Sequence, residues 1–236
     1  MATKQIELAG VGPVTLVKRT GNRNIRLTVG LSGVRVSMPR WTPFSAGQAF
    51  ALKHADWIMA ELAKQTGPLL EQGQQIGKLH HLRFEQTLGN QSAASRVTGT
   101  EIIVRMHGGE TIASPAVQER ARSAAVRALK REALALLPPR LAGLAAKHSK
   151  QYRDVSVKQL KRRWGSCDQS QNIVLNLFLM ELSWEYIDYV LLHELAHTVE
   201  MNHGEGFWHE LKAMQPRARD LARQLHQHRP AIGAWH

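Results

Sequence analysis

His193-Glu194-Leu195-Ala196-His197, followed by Met201-Asn202-His203-Gly204, decides how this chain is read. Residues four apart on an α-helix project from the same side, so His193 and His197 can hold one metal ion together. Glu194 is rotated by about a quarter turn from His193. That position suits reaching a metal-bound water rather than the ion itself, which is the place of a general base. A catalytic zinc takes three protein ligands and keeps a fourth position for water. His203 would complete the set, with Glu205, His209 and Glu210 as competitors. We favour His203. Asn202 and Gly204 tolerate left-handed backbone, and a break directly after the helix can swing it back to the metal.

Working outward, Ser183 is the expected cap of this helix, and Asn202-His203-Gly204 its end. Leu191, Leu192, Leu195 and Val199 would face the core, while Tyr186, Val190, His193 and His197 close over the metal. Phe207 to about Leu225 reads as one last helix kinked at Pro216, with a loose tail from His226. Upstream, Asp154 to Leu160 and Asn172 to Leu177 read as strands around a turn or bulge at Arg163-Trp164-Gly165-Ser166-Cys167. A long helix is expected from Ser114-Pro115 to about Leu137. Pro138-Pro139 would interrupt it before a second helix from Arg140 to Lys150. Leu79 to Leu88 and Arg96 to Met106 are strand candidates around Gly89-Asn90. The first forty residues alternate as four short strands, Ile6 to Leu8, Val14 to Val17, Ile25 to Val29 and Val34 to Met38. A helix from Ser45 to Lys64 follows, with Phe50, His54, Trp57, Ile58 and Leu62 inward, stopping at Gly67-Pro68.

The 236 residues can bury one large core or two small ones. The single cysteine, Cys167, excludes an intramolecular disulfide and suits a reducing compartment. Met1 to Glu7 lacks the basic and apolar regions of a secretory signal, and no apolar run could span a bilayer. The expectation is a cytoplasmic protein without membrane association. The net charge is +12. Its excess lies within 118–163, from Arg120 to Arg163, opposed only by Glu119, Glu132 and Asp154. Glu181 to Glu210 has no Lys or Arg, so in sequence the basic charge lies beside the His cluster and not on it. Such a segment could attract nucleic acid; the alternative is a solvated helix face.

Ile187-Asp188-Tyr189-Val190-Leu191-Leu192-His193-Glu194-Leu195-Ala196-His197, with Asn202-His203-Gly204-Glu205-Gly206-Phe207-Trp208, resembles the YgjP-like metallopeptidase family, which is related to SprT-like zinc proteases. Arg163-Trp164-Gly165-Ser166-Cys167 and Leu175-Asn176 look like that family's upstream signature. Ser183 stands where a Pro is common, and Gly204 where a Ser is common. The resemblance implies a zincin core, Zn2+ held by His193, His197 and His203, and a catalytic Glu194. The expected fold is α+β: a β-rich N-terminal region with one helix over 1–112, then a zincin-like metallopeptidase part over 113–236.

The expected reaction is hydrolysis of a peptide bond in a peptide or protein by a metal-activated water, with Glu194 as base. A non-peptide amide hydrolase and a nucleic-acid-associated protein are the alternatives. Tyr186, Tyr189 and His209 are candidate oxyanion donors, and Asn202, Glu205 and Glu210 candidate partners of the ligating imidazoles. Cys167 is read as a packed residue rather than a ligand. An extended substrate could add to an edge strand near Ile173 to Leu175.

Overall fold

The structure is a computed structural model and describes residues 2–8, 11–30, 33–66, 68–87 and 94–233, with backbone alone at 30 and 62–66. The turn expected at Gly89-Asn90, Gly67 of the expected helix stop and the Leu62 side chain lie outside the described residues. The chain is α+β and forms two compact units, Met1–Pro68 and Leu69–His236.

In the first unit, β1 (Thr3–Leu8), β2 (Gly12–Arg19), β3 (Arg26–Gly30) and β4 (Gly33–Pro39) form a sheet of order β1-β2-β4-β3. Its central pair, β2 and β4, is parallel. Alternation puts Val14, Leu16, Val34, Val36 and Met38 on one buried face. The helix expected over 45–64 is two helices, α1 (Phe44–Lys53) and α2 (Ala55–Thr66). At the break, the His54 ring takes the Phe50 carbonyl at 2.8 Å, and the His54 N–H turns to Ala51 instead. A side chain thus competes for the carbonyl that a continuous helix would use. Ala51 and Ile58 are buried, whereas Trp57, expected inward, is 47% exposed.

The second unit repeats that sheet topology. β5 (Gln75–Ile76), β6 (His80–Gln86), β7 (Ser95–Val97) and β8 (Glu101–Met106) lie in the order β5-β6-β8-β7, with β6 and β8 parallel. The strand expected over 96–106 is divided between β7 and β8, which pair antiparallel around Thr98 to Thr100. Helix α3 (Pro115–Lys147) covers this sheet with a face of Ala121, Ala124, Ala125 and Ala128, all fully buried; small side chains let helix and strands approach closely. β5, β7 and β8 pack on α3, and the whole sheet belongs to the unit that begins at Leu69.

Pro138 and Pro139 do not interrupt α3. The carbonyls that lose partners belong to Leu134 and Ala135, both exposed residues where water can replace the missing donors. On the other side, fully buried Leu137 and Leu141 hold the helix to the core. Ser114 sits at the N-cap, but its hydroxyl serves Thr111 N–H at 2.9 Å rather than the helix.

A second sheet joins β9 (Asp154–Lys158), β10 (Gly165–Cys167) and β11 (Asn172–Asn176) in the order β10-β11-β9. The 163–167 segment, expected as a turn or bulge, therefore contributes an edge strand. Ile173 to Leu175, expected at an edge, are central. A 3₁₀ turn, Leu177–Glu181, leads to α4 (Trp184–His197); Ser183 is at the N-cap without a side-chain bond. The expected last helix is two, α5 (Glu205–Met214) and α6 (Ala218–Leu225), since Pro216 lies in the break between them. The tail, expected loose, is tied down as far as it is described: Glu181 accepts the N–H groups of Ala231 and Ile232 at 2.6 and 3.2 Å. No helix among the described residues is long and apolar enough to cross a membrane.

Candidate metal centre and catalytic cleft

Helix α4 is buried on almost every side, with Ile187, Leu191, Leu195 and Ala196 inaccessible to solvent. Val199, expected on the core face, is exposed beyond the helix end. The helix stops at His197, a turn earlier than expected, and a loop carries the chain to Gly204, the N-cap of α5. Gly204 has φ −78°, and Asn202 is not among the positive-φ residues, so the loop turns without the left-handed backbone anticipated there.

This loop brings the three histidines together. Nε2 of His193 lies 3.2 Å from Nε2 of His197 and 3.1 Å from Nε2 of His203. Among the described residues they are the one group of three metal-capable side chains that meets in this way. Glu205, His209 and Glu210 do not join it; Glu210 is paired with Lys150 instead. Phe207, fully buried in the first turn of α5, lies against all three rings, with centroids at 4.9, 4.5 and 4.6 Å from His193, His197 and His203. It acts as the backing plate that fixes their planes.

Chemistry favours a cation at the meeting point. The His197 Nδ1 is 3.0 Å from the Glu200 carbonyl, which only accepts, so that nitrogen carries the proton and Nε2 presents a lone pair. Burial pushes the His193 imidazole down to about 3, helped by His197 and His203, so its ring is neutral at ordinary pH. Burial also lowers His197, against the opposing effect of the Glu200 carbonyl. The His193 and His197 rings face each other through Nε2, and lone pairs converging there repel unless something positive lies between them. Tetrahedral zinc with Zn–N bonds near 2.0–2.1 Å requires ligand nitrogens about 3.3 Å apart, close to the spacing seen. The residues therefore fit a zinc-sized ion.

Glu194 is 4% exposed. Burial raises its carboxyl to about 8, while Arg163 pulls in the opposite direction. Its Oε2 is buried with no partner among the described residues. β10 lies directly on it: a Cβ at Gly165 would come within 2.5 Å of Oε1 and 2.9 Å of both Cγ and Cδ. Gly165 is thus the residue that lets the edge strand approach the carboxylate.

Two cavities meet at Arg163, Gly165, His193 and Glu194. The one of about 330 Å³ runs past Cys167, His197 and His203. Burial pushes the Cys167 thiol up to about 11, with Glu194 and Asp168 adding to it, so it is a protonated packed thiol and stands outside the histidine cluster. The cleft of about 510 Å³ is walled by Trp164, Tyr189, Val190 and Leu225 and rimmed by Arg162, Arg163 and Arg229. Of the three candidate oxyanion donors, Tyr189 lines this cleft, Tyr186 gives its hydroxyl to Gln224, and His209 is exposed.

Sequence reasoning missed the α6 side of the cleft, where no motif singles out Leu225 or Arg229. It also missed Phe207 as a ring support, although its place four residues after His203 was a usable signal. The separation of basic charge from the histidines is overturned: Arg162 and Arg163 fold onto the site. Part of the basic segment is held by local partners, with Arg120 on Glu110, Arg140 on Asp188, Lys150 on Glu210, and Arg127 and Arg131 on β7 and the turn after it. The fold gives no support to a nucleic-acid belt along it.

Two solved structures are similar in part. The metallopeptidase zymogen of Pyrococcus abyssi abylysin is 24% identical with a TM-score of 0.35, and that of Methanocaldococcus jannaschii jannalysin 20% with 0.34. Each likeness covers 39% of this chain and 94% of the other. No curated protein matches the chain. The profile of the YgjP-like, metallopeptidase domain family matches residues 23–228, and the chain belongs to that family.

Proposed function

We propose that this protein is a zinc-dependent metallopeptidase in which His193, His197 and His203 hold Zn2+ and Glu194 is the general base. Membership of a metallopeptidase family implies a metal ion and a peptide or protein substrate. The observation that carries the finer reading is the approach of the His197 and His203 Nε2 atoms to that of His193, at 3.2 and 3.1 Å, beside a buried carboxylate. When bound, zinc supplies Lewis acidity: it polarises the scissile carbonyl and acidifies a water.

The protein's own groups do the rest. Glu194 takes the water's proton at its unpartnered Oε2 and passes it to the leaving amine. Positive charge at the imidazoles would add to that of Arg163 in favouring the ionised form of Glu194. Tyr189 is the best-placed donor for the developing oxyanion. An extended substrate pairs with the free edge of β10, since β11 is enclosed between β10 and β9. All these residues fall within 113–236, which we take as the catalytic part. With Cys167 as the sole cysteine, the cytoplasm suits the enzyme.

Glu194→Gln tests the base. It should bind zinc stoichiometrically by metal analysis and lose peptide hydrolysis by about 10²–10⁴-fold. His193→Ala should lose the zinc. Hydrolysis surviving in Glu194→Gln, or in metal-free protein, would overturn the mechanism.

A further inference from the structure

The cleft on the α6 side of Glu194 carries more positive side chains than the ionisation of Glu194 calls for. Three arginines, Arg162, Arg163 and Arg229, reach its rim, and Glu194 is the only carboxylate among its described lining residues. Elsewhere in the basic segment three cations are held in ion pairs, Arg120 with Glu110, Arg140 with Asp188 and Lys150 with Glu210. No ion pair among the described residues engages Arg163. Arg163 thus faces the cleft with the buried Glu194 as the one carboxylate among the described lining residues.

The basic lining does not end at that rim. Beyond the 158–163 segment lies another cavity, of about 650 Å³, lined by Lys158, Lys161, Arg162 and Arg163 with no acidic residue among its described walls. Trp164, Tyr189, Val190 and Leu225 give the catalytic cleft a mostly apolar wall. Apolar walls shield a charge from water and strengthen its hydrogen bonds to an anion, and a guanidinium matches a carboxylate in shape.

We propose that this cleft recognises a carboxylate of the peptide substrate through Arg163, assisted by Arg162 and Arg229, so that acidic peptides are the preferred substrate class. The inference rests on the peptidase reading above. The carboxylate has two possible sources, an Asp or Glu side chain near the scissile bond or a free C-terminus a few residues beyond it. Both meet the same guanidinium groups.

The test uses the full-length zinc-loaded protein and octapeptide pools that differ at one scanned position, Glu, Gln or Lys, each with a free or an amidated C-terminus. Cleavage is followed by mass spectrometry, and binding by fluorescence anisotropy on Glu194→Gln. We expect kcat/KM and affinity to favour Glu over Gln by about tenfold at one or two positions. A side-chain site keeps that preference after amidation; a C-terminal site shows it as the loss on amidation. Arg163→Gln should collapse the acid-to-amide ratio toward one, and Arg163→Glu should turn the preference toward Lys. Because each ratio is taken within one protein preparation, partial unfolding cannot imitate it. Arg127→Gln, on α3 and bonded to Ser95, is the control whose ratio stays unchanged.

Cleavage of Glu, Gln and Lys pools at equal rates would overturn the inference and leave the peptidase reading standing. Selective binding of acidic pools without any cleavage would do the reverse. Tight binding of single-stranded DNA in the cleft, displacing acidic peptides and abolished by Arg163→Glu, would make it a nucleic-acid surface and also overturn the inference.

Discussion

Gly165→Ala separates the proposed base from the proposed metal site more cleanly than any change to Glu194 itself. The alanine methyl would sit 2.5 Å from Glu194 Oε1 and 2.9 Å from its Cγ and Cδ. Normal contact between such atoms is about 3.5–4.0 Å, so something must move by roughly 1 Å. The carboxylate has little room, being 4% exposed on a helix whose other faces are core. β10 is held on one side by its ladder to β11. Overpacking of this kind costs about 1–3 kcal/mol of stability. A displacement near 1 Å at a reacting group costs about 10²-fold in rate. The three atoms nearest the methyl all belong to Glu194 and none to a histidine, so zinc content should stay at one per chain. The assay pairs metal analysis with kcat on a peptide and a urea unfolding curve, which separates a misplaced base from a misfolded protein. Wild-type kcat in a folded, zinc-loaded Gly165→Ala protein would refute the claim that β10 sets the position of Glu194.

His203→Ala should weaken zinc binding by more than about 100-fold, beyond the usual cost of losing an outer partner of a ligand. His209→Ala should not, and a chelator competition titration decides between them. Glu132→Ala should destabilise the fold by about 3–5 kcal/mol. This fully buried carboxylate accepts the N–H groups of Lys78, Leu79 and His80 and the His80 ring nitrogen at 2.6–3.2 Å. A loss under 1 kcal/mol in urea unfolding would show that the loop finds other partners. Burial pushes Glu181 up to about 7, from an ordinary value of 4.5, against the lowering effect of the Ala231 and Ile232 N–H groups. Between those two values the folded state keeps a proton that the unfolded chain has lost, so stability falls as pH rises from 4.5 to 7. Glu181→Gln keeps an acceptor for both N–H groups and removes that loss. It should be more stable than wild type at pH 8, by at most about 3 kcal/mol, with the gain vanishing near pH 4.5. A gain independent of pH would refute the assignment.

Much of the local structure was legible because its causes are local. Alternation marks β1 to β4 and helical spacing marks α4. A helical pair of histidines with a third just beyond needs only the helix geometry to suggest a metal. Errors arose where the outcome depends on a distant partner or on solvent. Pro138 and Pro139 read as a break, yet the exposed side of α3 tolerates them while Leu137 and Leu141 anchor the other side. His54 reads as an inward helical residue, yet its ring captures a carbonyl and divides the helix.

The candidate reagents came from the sequence: two proposed ligands and a proposed base on one helix, a third histidine in reach, and a family signature around them. Tertiary structure alone decided their surroundings. It set β10 rather than β11 at the edge, put Gly165 against the carboxylate, placed Phe207 behind three rings, and brought Arg162, Arg163 and Arg229 to one cleft. The physical reason is range. Helical spacing is fixed by bonds within a few residues, whereas strand order and the company of a buried charge are settled by packing between segments far apart in the chain.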